Sequence, residues 1–287
     1  MNPKTLALAL TSFAVASFAQ AQWTSLASDN FESYTFGEQP GGNWYKLGNN
    51  ASSGSNELIT DATGGTASAS GIVLPATGTD QALYFYDNAN PSTSRAGLNL
   101  DTSGSSNYDV VRVSLDFNFA TVDLENTGSF GIICLTSAGN TSFGGPQNQA
   151  LSITLKYDGT LTWSGGSLAI ADTNWHSMEI VANETDSSFS YDALDSSGET
   201  SIDANSFDLY VDGTRVGSSI ALIQQDDDSY VELGRFGVNT YSTAVGADFM
   251  IDNLETFTAP IPEPAESAAM LGAVALLAGF LLRRRKL

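Results

Sequence analysis

Val111-Arg112-Val113-Ser114-Leu115-Asp116-Phe117-Asn118-Phe119 has an apolar side chain at every odd position and a polar one at every even position. In an extended strand successive side chains point to opposite sides, so a period of two buries one face and wets the other. Val113, Leu115 and Phe117 are therefore expected between two packed sheets, with Asp116 on the opposite face. Leu151-Ser152-Ile153-Thr154-Leu155-Lys156-Tyr157 repeats the pattern and then meets Asp158-Gly159 ahead of Leu161-Thr162-Trp163. Asp-Gly between two alternating runs predicts a hairpin. Asp212-Gly213 between Phe207–Val211 and Thr214–Val216 predicts a second.

Further strands are expected at 29–34, 82–86, 96–100, 130–135, 177–182, 231–238 and 249–257, separated by Gly, Ser, Asn and Asp clusters. Nothing from Trp23 to Thr258 reads as a long amphipathic helix. So many short strands predict an all-β fold, a two-sheet antiparallel jelly-roll sandwich in one domain over residues 22–258. The Gly- and Ser-rich stretches 52–71 and 192–205 read as long loops inside it. Cys134, within the apolar run 131–135, reads as a small buried hydrophobe.

Charge narrows the function. The 287 residues hold 32 acids and 11 bases, a net charge of −21. Five bases lie at the two ends, and the stretch 22–258 has six bases against 30 acids, a net of −24. Such a field repels phosphate backbones, which excludes a nucleic-acid partner. One Cys and one His, Cys134 and His176, exclude a disulfide framework, a Cys/His zinc site and a nucleophile–histidine triad built on further histidines.

The ends give an address. Lys4, the apolar run 6–18 and Ala19-Gln20-Ala21 form a secretory signal peptide over residues 1–21. At the other end Pro262-Glu263-Pro264 precedes 16 uncharged residues, 267–282, and then Arg283-Arg284-Arg285-Lys286. Sixteen residues make about 24 Å of helix, a short membrane span with the basic cluster on the cytoplasmic side. A Pro-Glu-Pro motif, an apolar helix and a terminal arginine cluster together resemble the PEP-CTERM sorting signal. That resemblance covers residues 259–287. It implies export to the cell envelope or beyond, tethering through the C-terminal transmembrane helix, and an exosortase-type processing protease as partner, with Pro262, Glu263, Pro264, Arg283, Arg284 and Arg285 as the sorting motif.

A second resemblance spans most of 23–258. Trp175-His176-Ser177-Met178-Glu179-Ile180, followed by Leu209-Tyr210-Val211-Asp212-Gly213, is similar to laminin-G-like and concanavalin A-like lectin and glucanase sandwiches. Asp29–Tyr34 and Phe249–Leu254 resemble the first and last strands of such domains. The stretch 189–206 departs from the pattern as an insertion. The glucanases of that superfamily carry a Glu-x-Asp-x-x-Glu strand, which is absent here. Glu179 sits between Met178 and Ile180 with Val181 two positions on, so no catalytic residue is assigned. The expected role is a non-enzymatic surface or extracellular-matrix protein that holds polysaccharide, with a glycan-active hydrolase or lyase as the alternative.

Three groups of residues bear on ligands. Asp29 and Glu32, opening the first strand, and Asp252 in the last make a candidate calcium site, since carboxylates suit a hard cation and related carbohydrate-binding jelly rolls hold structural calcium at that edge. Trp44, Tyr45 and Tyr241 are candidate sugar platforms, with Tyr84 and Tyr86 as further aromatics. His176 at a strand entry and the run Asp226-Asp227-Asp228 read as structural and solvated.

Overall fold

Period-two alternation becomes nineteen strands and one three-residue 3-10 turn at Pro146–Asn148 among the described residues. The computed structural model describes residues 23–259 apart from 47–55, 69, 88–92, 102, 141–142, 144 and 242–246. The signal peptide, the Pro262-Glu263-Pro264 motif, the apolar run and Arg283–Arg285 all lie outside the described residues.

The chain begins with β1 (Thr24–Asp29), β2 (Trp44–Lys46), β3 (Asn56–Thr60), β4 (Gly65–Thr66), β5 (Val73–Leu74), β6 (Ala82–Asp87) and β7 (Arg95–Asn99). Two long strands follow, β8 (Val110–Phe119) and β9 (Ser129–Thr136), then β10 (Leu151–Lys156), β11 (Thr160–Trp163) and β12 (Gly166–Ala169). The remainder comprises β13 (His176–Asn183), β14 (Phe189–Asp192), β15 (Glu199–Ile202), β16 (Ser206–Val211), β17 (Thr214–Ala221), β18 (Arg235–Thr240) and β19 (Ala247–Thr258).

One sheet runs β17-β16-β13-β8-β19-β6-β3, with β1 also pairing β19, and the other runs β12-β11-β10-β9-β18-β7-β2. Every pairing within them is antiparallel. The fold is thus an all-β, antiparallel, two-sheet sandwich of jelly-roll type. Val113, Leu115 and Phe117 are buried between the sheets as the alternation requires. There Phe117 stacks on Phe249 at 6.1 Å, and Phe119 meets Phe130 of the facing sheet edge to face at 6.1 Å. Aromatic pairs at this spacing add attraction beyond simple burial. At both predicted hairpins the turns form: Gly159 has φ 74, and Asp212 and Gly213 have φ 49 and 69, the double positive φ of a tight two-residue hairpin turn.

Several expectations are corrected. The first strand ends at Asp29 and does not cover 29–34; the Asp29 side chain accepts the Phe31 N–H, turning the chain with Phe31 at φ 58. The strand expected at 231–238 starts only at Arg235, while Leu233 makes an isolated bridge to Tyr108. Both presumed loops carry strands. Within 52–71, β3 pairs β6 and β4 pairs β5; within 192–205, β15 pairs β14.

Of these added pieces β3 extends the edge of the eight-stranded sheet, while the β4–β5 and β14–β15 pairs cover parts of its outer surface. Tyr84 and Met250, cross-strand partners on that outer face, pack with Leu58, Ala67 and Leu74 in a small second core. The β14–β15 hairpin lies over β16, where Tyr191 donates to Asp208 at 2.6 Å and shares a 2.8 Å hydrogen bond with Tyr210.

Candidate functional site

In sheet order, β8 and β19 lie between the two covered regions, and their outer face is open. A groove of about 710 Å³ forms there, lined by Ser114 and Asp116 from β8, Asn253 and Glu255 from β19, and Asp29, Asn30 and Tyr34 around the end of β1. Its walls are hydroxyls, amides and carboxylates with one phenol ring.

A bulge in β19 builds the groove floor. The pairing of β19 with β8 slips between Asp252 and Glu255, and Asn253 takes φ 48, a backbone region that Asn tolerates better than most residues. Asp252 faces Asp116 directly across the ladder. Asn253 joins them: its Nδ2 donates to Asp116 Oδ2 at 2.9 Å and to Asp252 Oδ2 at 3.4 Å, while its backbone N–H donates to Asp252 Oδ1 at 2.6 Å. Asp252 is only 4% exposed. Burial pushes its carboxyl up to about 7 against the pull of the Asn253 N–H, and the negative charges of Asp80, Asp116 and Glu32 push the same way.

The opposite wall is fixed by Asp29. Its Oδ2 accepts from Tyr34 OH and from Trp44 Nε1, each at 2.7 Å. Burial, then the Asp29 carboxylate, raises the Tyr34 phenol. Further along the outer face, Arg112 Nε and NH2 both donate to Glu179 Oε2, at 2.9 and 2.5 Å, and its guanidinium lies 5.2 Å from the Phe257 ring centre.

The structure brings Glu32 and Asp252 into electrostatic reach of each other but keeps Asp29 in its own hydrogen-bonded set. Glu32 Oε1 accepts the Gln81 N–H at 2.6 Å. Among the described residues no group of three or more His, Cys, Asp or Glu side chains is placed to hold a metal ion. Asp29, Glu32 and Asp252 are held in separate sets: Asp29 accepts from Phe31, Tyr34 and Trp44, Glu32 from Gln81, and Asp252 from Asn253.

The three proposed aromatic platforms separate as well. Trp44 and Tyr45 belong to a strand and not to a loop; Trp44 is 6% exposed and packs on Phe31 at 5.6 Å. Tyr45 and Tyr241 fall on the outer face of the other sheet, Tyr241 against Ile132, Cys134 and Phe143. Tyr84 is buried under the small second core and bonded to Asp248. Asp208 and Tyr210 do point outward from β16 yet are fully covered by the β14–β15 hairpin, with Arg215 NH1 donating to Asp208 at 3.1 Å.

His176 bridges Asp212 Oδ2 at 2.8 Å and Asp172 Oδ1 at 3.0 Å. Burial disfavours its charged ring, but the bonds and charges of Asp212 and Asp172 outweigh that and raise its pKa. It ties two loops together at one end of the sandwich. Cys134 is buried, which pushes its thiol up to about 12 and leaves it inert. Asp227 Oδ1 accepts from the Ser229 N–H and hydroxyl in a solvated turn.

The sequence did not reveal Asn253, Ser114 or Tyr34 as groove residues. One trace was present: in Met250-Ile251-Asp252-Asn253-Leu254 two polar residues in succession break the alternation where the bulge forms.

No family model matches the chain, and no curated protein matches it significantly. Among solved structures, it is similar to a conserved carbohydrate esterase from the Shiga toxin-encoding bacteriophage phi24B, at TM-score 0.48 and 12% identity over 83% of this chain and 99% of that one. An endo-1,3-beta-glucanase from Streptomyces sioyaensis gives TM-score 0.47 and 14% identity over 85% and 100%. The potassium-bound carbohydrate recognition domain of Emp46p gives TM-score 0.41 and 12% identity over 84% and 100%. At this level of similarity no activity or ligand passes from them to this chain.

Proposed function

We propose that this protein is an exported, non-enzymatic glycan-holding sandwich of the cell surface or extracellular matrix, delivered by its PEP-CTERM-like tail. The observation that supports the binding role is the groove over β8 and β19. Ser114, Asp116, Asn253, Asn30 and Glu255 offer hydroxyl, amide and carboxylate groups for sugar hydroxyls, with the Tyr34 ring beside them. Open, polar and wide enough for more than one sugar unit, it suits a neutral polysaccharide, whose hydroxyls both donate and accept. An acidic glycan is disfavoured at this groove by the surrounding carboxylates. Glycan-array binding of the full chain tests the reading: neutral glycans should bind and Asn253→Ala should bind at least tenfold more weakly. Equal binding by that variant contradicts it.

A second reading, a glycan-active hydrolase, is favoured by one feature. Asp116 and Asp252 lie opposite each other, and one of the pair holds its proton to about neutral pH, the division of roles that acid-and-nucleophile glycosidases use. Against it, Asp252 is almost wholly buried and so cannot meet a glycosidic oxygen. Release of reducing ends from a bound polysaccharide, lost in Asp116→Asn, would turn the assignment to this second reading.

A further inference from the structure

The polar groove gathers negative charge with no cation to answer it. On its floor Ser114 and Asp116 stand two residues apart on β8, and Glu255 is the cross-strand partner of Ser114. Alternate residues of a strand share a face about 7 Å apart, so the two carboxylates lie diagonally across one strand pair, with the Ser114 hydroxyl beside them. Asp29 adds a third carboxylate at the wall, and no Lys, Arg or His is among the described residues that line the groove. The ion pairs formed among the described residues join Arg112 to Glu179, Arg215 to Asp208, and His176 to Asp172 and Asp212. None includes a groove carboxylate.

Neutral donors meet part of this charge. Asp29 accepts from Tyr34 and Trp44, and Asp116 Oδ2 accepts from Asn253 Nδ2. A hydrogen bond from an amide or a phenol leaves the net charge in place. Asp252 registers it: after burial, the charges of Asp80, Asp116 and Glu32 push its carboxyl up.

We infer that the groove prefers polysaccharides whose sugars carry free amino groups, with the ammonium resting between Asp116 and Glu255. The inference rests on the glycan-holding reading and names the class of glycan. An ammonium brings three N–H donors on a compact charge, which two carboxylates and a hydroxyl on one strand pair can accept. Calcium asks for about six to eight converging oxygens, and the described residues bring no such group together. A cleft lined by one sign of charge concentrates the opposite sign, and charge-assisted hydrogen bonds are about twice as strong as neutral ones. Affinity should therefore rise from acidic through neutral to amine-bearing glycans.

Short oligomers of β-1,4- and β-1,6-linked glucosamine, each with free amines and in N-acetylated form, are titrated into the full chain by calorimetry at pH 6 and low salt, beside tetralysine. For at least one linkage the free-amine form should bind at least tenfold more tightly than its N-acetylated form. The difference should fall below about threefold in 1 M salt, where the screening length is about 3 Å. Asp116→Asn and Glu255→Gln should each lower the preference to below about threefold and leave affinity for the N-acetylated form within about twofold. Asp227→Asn removes the same charge from a solvated turn elsewhere and should keep the preference. Binding of N-acetylated and free-amine forms with equal affinity overturns the inference and leaves the glycan-holding reading standing; binding of neither overturns both. Tetralysine binding as tightly as the amino sugar would assign a basic peptide instead, and an equal loss in Asp227→Asn would assign the overall charge; either overturns the inference. Glu255 is exposed at the groove, so Glu255→Gln decides the matter even where Asp116→Asn does not fold.

Discussion

The two sheets bury their inner faces alike, and at their centres, β8 with β19 and β9 with β18, they treat their outer faces in opposite ways. On β8 the residues between the buried positions are Arg112, Ser114 and Asp116, and the surface they make opens into a polar groove. On β9 and β18 the corresponding outward residues include Ile132, Cys134 and Gly237, and the surface is sealed by Phe143. The glycines make that seal possible: a Cβ at Gly97 or Gly237 would come within 2.4 or 2.8 Å of the Phe143 ring. Alternation therefore selects the core face, and the residues that fill the other register decide whether the outer face is a ligand surface or a second layer of packing.

The contrast can be broken from its inner face first. Phe117→Ala should cost about 3–5 kcal/mol in urea unfolding, through lost transfer energy and the cavity left behind. A cost near zero would mean that β8 does not present this face to the facing sheet.

Protonation gives the next largest effect. Burial raises both Asp252, beside the groove, and Glu57, which accepts from Ser94 and the Arg95 N–H, to about 7. Between about pH 4 and 7 the folded state keeps protons that the unfolded chain has released, so stability falls as pH rises through that window and levels off above it. The loss is on the order of 3–4 kcal/mol for each carboxyl, and Asp252→Asn should flatten part of the slope in urea melts at pH 5 and pH 8. A stability that rises across this window would contradict the burial of both carboxyls.

The sealed face gives a smaller and opposite kind of change. Gly97→Ala adds one methyl group under Phe143 and should cost about 1–3 kcal/mol by overpacking. Phe143→Ala in the same background should recover part of that loss, because the clash partner is gone. Failure of the second change to recover any stability would separate the glycine from the ring.

Legibility in the sequence follows the same contrast. Strict alternation in 111–119 and 151–157, with Asp-Gly turns, specified strand, face and hairpin, because a one-residue slip would expose every apolar side chain in them. Leu58-Ile59 and Phe189-Ser190-Tyr191 were hidden by the Gly, Ser and Asp around them, and their strands form through long-range pairing and burial that composition does not report. Asp29 and Glu32 were read as opening the first strand, but β1 ends at Asp29 and leaves Glu32 beyond it, and the bulge at Asn253 sets the direction of Asp252. The groove depends on that bulge, and a bulge is a property of two strands together.

The smallest expected effect on stability carries the largest on function. Asp116→Ala removes one hydrogen bond from Asn253 at an outward, partly exposed position and should change unfolding free energy by no more than about 0.5 kcal/mol. The central claim is that β8 folds the protein with one face and binds glycan with the other, and a paired urea melt and glycan-binding measurement on this single variant tests it most directly. The account predicts an unchanged melt with glycan binding weakened at least tenfold. An unchanged melt with unchanged glycan binding, or a loss of stability comparable to that of Phe117→Ala, would contradict it.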